Sequence, residues 1–151
     1  AKNIAKHTAE VNSINVFPVP DGDTGTNMSL TIQSAVKELV NAKSNSIEDV
    51  VESVSRGALR GARGNSGVIL SQVLRGICNT LKDEKEIDTK VFATALSNGA
   101  KVAYGAVSKP KEGTMLTVAR MVGEYALTIK GKNKDFENKL LKYILDEKKN
   151  L

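Results

Sequence analysis

Two aspartates, Asp21 and Asp23, flank Gly22 in the segment Asn15-Val-Phe-Pro-Val-Pro-Asp-Gly-Asp-Thr-Gly-Thr-Asn27. Pro18 and Pro20 stiffen the approach, while Gly22 and Gly25 open backbone angles closed to other residues. A tight turn here would converge both carboxylates on one point, and hard oxygen ligands of this kind suit Mg²⁺ or Ca²⁺. An EF-hand loop starting at Asp21 needs Gly at its sixth position and Glu at its twelfth. Those positions hold Thr26 and Ile32, so the EF-hand is excluded. An Asx-rich turn capping a helix and a metal site both remain open on local chemistry alone.

A second segment, Gly57-Ala-Leu-Arg-Gly-Ala-Arg-Gly-Asn-Ser-Gly67, has glycines at 57, 61, 64 and 67 and feeds into an apolar helix. Unpaired N–H groups at a helix start favour a phosphate, Ser66 adds a hydroxyl, and Arg60 and Arg63 add charge. Close helix packing through small residues explains the same glycines. No Gly-Lys-Ser/Thr follows and no GxGxxG occurs, so neither the Walker nor the dinucleotide fingerprint applies. A third segment, Lys109-Pro-Lys-Glu-Gly-Thr-Met-Leu116, is another Gly-Thr turn opening a helix. Together the three provide a carboxylate pair and two glycine-rich helix starts, a combination used in phosphoryl transfer. The single histidine, His7, lies far from all three segments and reads as a surface or helix-end residue. Gly-Asn-Ser-Gly lacks the GxSxG spacing of a nucleophile elbow.

The elements that must carry these loops are helical. Ile32, Ala35, Val36, Leu39 and Val40 form an apolar stripe over 27–42. Ser46 is the expected cap of a second helix bearing Val50, Val51, Val54 and Ala58. A third begins near Asn65 or Ser66 and carries Val68, Ile69, Val73, Ile77 and Leu81. Asp88 caps a fourth that runs to about Val107, Thr114 a fifth that Gly131 stops, and a sixth carries Phe136, Leu140, Leu141, Ile144 and Leu145. The first dozen residues read as the end of another helix. Aromatics make up 4% of the chain, so aliphatic side chains must build the core. An all-α bundle of antiparallel helices follows, with no repeat or internal boundary.

One cysteine, Cys78, rules out an intrachain disulfide and sits as a small hydrophobe on an apolar helix face. Of the net charge of +5, residues 130–149 carry +3, as seven lysines against four acids. Their alternating signs read as a solvated helix face, and nucleic acid is not expected as a partner. A basic helical interaction module built on that segment is the non-enzyme alternative. No apolar run reaches membrane-span length and no signal peptide opens the chain, so a cytoplasmic location is expected. Lacking an initiator Met, the chain is expected to be a piece of a longer one.

Residues 15–28, Gly61-Ala-Arg-Gly-Asn-Ser-Gly-Val-Ile-Leu-Ser-Gln72 and Glu112-Gly-Thr-Met-Leu-Thr-Val118 closely resemble the N-terminal domain of the bacterial fatty acid kinase A subunit. That domain is related to the nucleotide-binding L subunit of dihydroxyacetone kinases. The resemblance spans essentially the whole chain, 1–151, and implies an incomplete kinase domain: a barrel of antiparallel helices with ATP at one end, held through Mg²⁺, and ADP left after transfer. It assigns Asp21 and Asp23 as metal ligands. Thr24, Gly25, Thr26, Asn27, Ser66 and Gly67 fall at the phosphates, and Gly113, Thr114 and Met115 against ribose and base. The implied acceptor is a fatty acid on a separate binding protein, with the rest of the same chain as a further partner and a homodimer left open. Dihydroxyacetone kinase L subunits carry a third aspartate a few residues upstream. This chain has Asn12 and Asn15 there, so Asn15 becomes an uncharged third ligand and a second metal is uncertain. A dihydroxyacetone-type kinase subunit is the enzyme alternative.

Overall fold

The structure, a computed structural model, describes residues 1–129, 131 and 133–148. Eight helices and no strand occur among them: α1 (Lys2–Lys6), α2 (Thr8–Ser13), α3 (Thr24–Val40), α4 (Ile47–Arg60), α5 (Gly64–Leu81), α6 (Thr89–Ala106), α7 (Met115–Thr128) and α8 (Asn133–Lys148). The expected all-α bundle is what forms. Three helix starts are fixed by side chains that supply the missing acceptor for a first-turn N–H. Ser46 Oγ accepts from Asp49 at 3.2 Å, Asp88 Oδ1 from Val91 at 2.8 Å, and Thr114 Oγ1 from Leu116 at 3.3 Å.

Other boundaries differ from the sequence reading. The first dozen residues form two short helices, because the chain breaks at His7 (φ −102°, ψ 12°). α3 starts at Thr24, three residues earlier than its apolar stripe, since polar residues also join a helix whose end is capped from elsewhere. α7 stops at Thr128, where Ile129 is extended (ψ 120°), two residues before Gly131. His7 is exposed, with Nδ1 3.0 Å from Glu10 Oε2.

Small residues set the helix spacing. A Cβ added at Gly57 would meet Ser34 O at 2.7 Å and Ala35 Cα at 2.8 Å. At Gly76 it would meet Asn98 O and Gly99 Cα at 2.6 Å, and at Gly123 Ser97 Cα at 2.8 Å. Backbone therefore touches backbone along α3–α4, α5–α6 and α6–α7. α4 runs back along α3, α6 along α5 and α7 along α6. Near the start of α5, Gly64 and Gly67 rest on Asn27 and Thr31 of α3. The connections 14–23, 61–63 and 107–114 thus share one end of the bundle.

The core is aliphatic, as the composition requires. Val51, Cys78, Leu81 and Ala95 are buried together, and Ala93, Ala126, Phe136 and Leu140 form a second cluster that docks α8. Two aromatic contacts help hold α8: Phe92 edge-on to Phe136 (6.3 Å) and Tyr125 stacked on Tyr143 (4.1 Å). Its charged face carries a Lys139–Asp135 pair at 2.9 Å. Lys130, Lys132 and Lys149 of the basic segment lie outside the described residues. No helix among the described residues is long and apolar enough to cross a membrane.

Gly76→Ala is expected to lower stability by about 1–3 kcal/mol, because its Cβ meets backbone on α6. Gly105→Ala, with nothing within 4 Å of the new Cβ, is expected to raise stability by about 0.5–1 kcal/mol. Urea denaturation of both variants checks the contrast of sign. Burial pushes the Cys78 thiol up from 9.0 to about 11. The folded state holds this proton more tightly than the unfolded one, so stability is full below pH 9.0 and falls as pH rises toward 11. Denaturation midpoints from about pH 8 to about pH 11 are expected to drop more steeply in the wild type than in Cys78→Ala.

Candidate functional site

A cleft of about 570 Å³ opens at the end of the bundle where α3, α5 and α7 begin. Asp21, Asp23 and Thr24 line it from the first loop, Asn65 and Ser66 from the start of α5, and Thr114 and Met115 from the start of α7. Phe17, Val19, Met28, Val68, Ile69 and Leu116 form an apolar wall, and the end of α6 with Lys109 and Lys111 completes the rim. All three loops singled out by sequence therefore meet in one cavity, within the size range of small-molecule sites.

Two asparagines build the first loop. Asn15 Oδ1 accepts from Asp23 N–H (3.2 Å), Thr24 N–H (3.3 Å) and Thr24 Oγ1 (2.8 Å), while its Nδ2 donates to Val19 O (2.9 Å). One side chain thereby ties the proline-containing arm to the start of α3. Asn12 serves the next turn: its Oδ1 accepts from Thr26 N–H (3.1 Å) and its Nδ2 donates to Thr26 Oγ1 (2.9 Å). Gly22 supplies the positive φ (+68°) that the reversal between the aspartates requires. Asp23 occupies the cap position of α3 without using its carboxylate for the cap. Asn15 and Asn12 have taken over that task. The Asp21 and Asp23 carboxylates consequently line the cleft with no side-chain hydrogen bond or ion pair among the described residues.

The three helix starts differ in what they leave open. α3 is closed by Asn12 and Asn15. α7 is closed by its own residues, since Thr117 Oγ1 accepts from Gly113 N–H (2.9 Å) and Thr114 N–H (3.4 Å) while Thr114 takes Leu116. α5 has no side-chain cap, and its ladder begins only with Gly67 N–H on Arg63 O at 3.0 Å. The N–H groups of Gly64, Asn65 and Ser66 precede that ladder, at the positive end of the helix dipole. This start is tied to α3 by Ser66 Oγ, which donates to Thr24 O at 3.4 Å, and by Thr31 Oγ1, which accepts from Arg63 N–H at 3.3 Å. The cleft thus pairs a helix start without a side-chain cap with two carboxylates free of side-chain partners among the described residues.

A polar cluster behind the cleft fixes the third loop. Glu112 accepts from Tyr104 Oη (2.9 Å), Thr117 Oγ1 (2.9 Å) and Arg120 Nη2 (3.0 Å), joining α6 to α7. These hydrogen bonds, that from Thr117 foremost, hold the Glu112 carboxyl below its ordinary range.

Not every residue expected at the site lines the cleft. Thr24, Ser66, Thr114 and Met115 do, with Asp21, Asp23 and Asn15. Gly25 is buried against Thr8 O and Gly67 against Thr31, so both serve packing. Thr26 faces Asn12, Asn27 lies under Gly64, and Gly113 forms the turn (φ +78°) before α7. The charge expected from Arg60 and Arg63 is also absent from the lining: Arg60 pairs with Glu38 at 3.4 Å. Lys109 and Lys111 stand in the cleft instead, together with Phe17, and sequence reading did not single them out. Their signal was present in Lys109-Pro-Lys111, two cations held close to the Gly-Thr turn.

Asn15→Ala removes the acceptor shared by two amides, each hydrogen bond being worth about 1 kcal/mol. Hydrogen exchange at Asp23 and Thr24 is expected to accelerate roughly fivefold or more, with exchange in α6 unchanged.

The chain matches the DAK2 domain family model over residues 18–150. It is 50% identical over 127 residues to an uncharacterized protein of Staphylococcus epidermidis (strain ATCC 12228), covering 84% of this chain and 23% of that protein. It is 46% identical over 145 residues to an uncharacterized protein of Staphylococcus aureus (strain USA300), covering 96% of this chain and 26% of that one. The chain spans about a quarter of the length of these relatives. A match over residues 18–150, which include the second and third loops, the first from Pro18 onward and every residue lining the cleft except Asn15 and Phe17, places the chain in the DAK2 domain family.

Proposed function

We propose that residues 1–151 form the ATP·Mg²⁺-binding domain of a kinase that phosphorylates a fatty acid, presented by a separate carrier protein, to an acyl phosphate. The observation that carries this reading is the pairing, in one cleft, of the open α5 start with the unpartnered Asp21 and Asp23. The N–H groups of Asn65 and Ser66 hold a phosphate, as helix starts do. The donor set fits Mg²⁺, which uses one or two carboxylates with substrate phosphates and water completing its shell. Among the described residues no cluster of three His, Cys, Asp or Glu side chains occurs, and such a site needs none. Asp21 and Asp23 would hold the ion, which would supply positive charge to offset that of the phosphates.

Asn15 has a different part. With three donors already on Oδ1, it has no lone pair left for a cation and acts by fixing the two aspartates. Phe17, Val68, Ile69 and Met115 present an apolar wall to the base. A fatty acid is already ionised at neutral pH, so its oxygen attacks the terminal phosphorus and ADP leaves without a general base. The absence of His from the lining of the cleft fits that acceptor.

Calorimetry with ATP and Mg²⁺ tests the binding step. Asp21→Ala and Asp23→Ala are each expected to weaken metal-dependent binding by roughly 10–100-fold with helical circular dichroism unchanged. Wild-type affinity in both variants would reject the metal assignment. Phosphorylation assays on the whole protein, comparing carrier-bound fatty acid with dihydroxyacetone, decide the acceptor.

A further inference from the structure

We infer that Lys111 is a phosphate-binding residue of this cleft, reaching across its mouth to the terminal phosphates of the nucleotide held by Asp21, Asp23 and the α5 start. The inference rests on the nucleotide-binding reading and extends it to a residue outside the two long loops. Among the described residues, Lys109 and Lys111 are the only basic side chains lining the cleft. Two carboxylates line the same space, so a bound polyphosphate would face a net excess of negative charge without a cation from the protein. Lys111 also spans the opening: its Nζ lies 6.0 Å from the ring centroid of Phe17, on the loop that carries the aspartates. That contact is a weak cation–π interaction at an exposed site, readily exchanged for a phosphate oxygen.

The backbone beneath Lys111 is held in place. Its carbonyl accepts from Thr114 Oγ1 at 2.8 Å, and the next residue, Glu112, is held by Tyr104, Thr117 and Arg120. The lysine therefore projects from an anchored turn, and its long side chain is free to move between Phe17 and a ligand. Lys109 lacks such an anchor and contributes long-range charge.

Titration of the protein with ATP, ADP and adenosine in the presence of Mg²⁺ tests this. Lys111→Ala is expected to lower ATP affinity about tenfold, to lower ADP affinity less, and to leave adenosine binding unchanged. Lys111→Arg is expected to stay within about threefold of the wild type because it keeps the charge. Lys90→Ala, at the far end of α6 and roughly 24 Å from Ala106 along the helix, is expected to change nothing. If the wild type binds ATP and Lys111→Ala binds it equally well, Lys111 has no phosphate role and the nucleotide reading stands. Equal losses for ATP and adenosine would also overturn the assignment, leaving Lys111 as a support for Phe17. A wild type that binds no nucleotide would remove the reading itself, and the inference with it.

Discussion

The close contact between the glycines at the start of α5 and the first half of α3 is the constraint on which the remaining geometry depends. Gly64 rests on Asn27 and Gly67 on Thr31, at distances no side chain would allow. Thr31 Oγ1 reinforces the contact by donating to Asn27 O at 2.8 Å and accepting from Arg63 N–H at 3.3 Å. Because the two helices run side by side from this point, the carboxylate loop before α3 and the free amides of α5 face the same space. A Cβ at Gly67 would push the helices apart and separate the two halves of the cleft.

Around that contact the molecule distributes its capping groups unevenly. Polar side chains close α3 and α7, and α5 alone among these three starts is left without a side-chain cap. An uncapped helix start normally weakens a helix; here α5 is secured along its length by close packing against α6 and α4, so its end can stay open. Asn12 and Asn15 show the same economy from the other side. An amide both donates and accepts, whereas a carboxylate only accepts. Asn15 uses both capacities and leaves Asp21 and Asp23 without internal partners.

Much of this was legible in the sequence. The 3.6-residue periodicity gave the helices, and Ser46, Asp88 and Thr114 marked their starts because a cap is a local interaction over two or three residues. The loops declared themselves through glycine, proline and aspartate. What stayed hidden was long-range. The choice between phosphate binding and packing for Gly57, Gly61, Gly64 and Gly67 was posed as an alternative, yet packing by these glycines is what presents the open amides. Arg60 and Arg63 were closer in sequence to the expected phosphate site than Lys109 and Lys111. The course of α6 back along α5 brings the lysines to the cleft, while the packing of α4 on α3 leaves Arg60 on Glu38. The break at His7 carried no strong local signal.

The central claim is that the N–H groups at the start of α5 receive the nucleotide's phosphate. Amide chemical shifts followed by NMR during titration with Mg²⁺ and ATP test it most directly. The expected result is that the Asn65 and Ser66 amides move most, with smaller changes at the already bonded amides of Thr114 and Leu116. Saturable binding that left Asn65 and Ser66 unmoved would contradict the account.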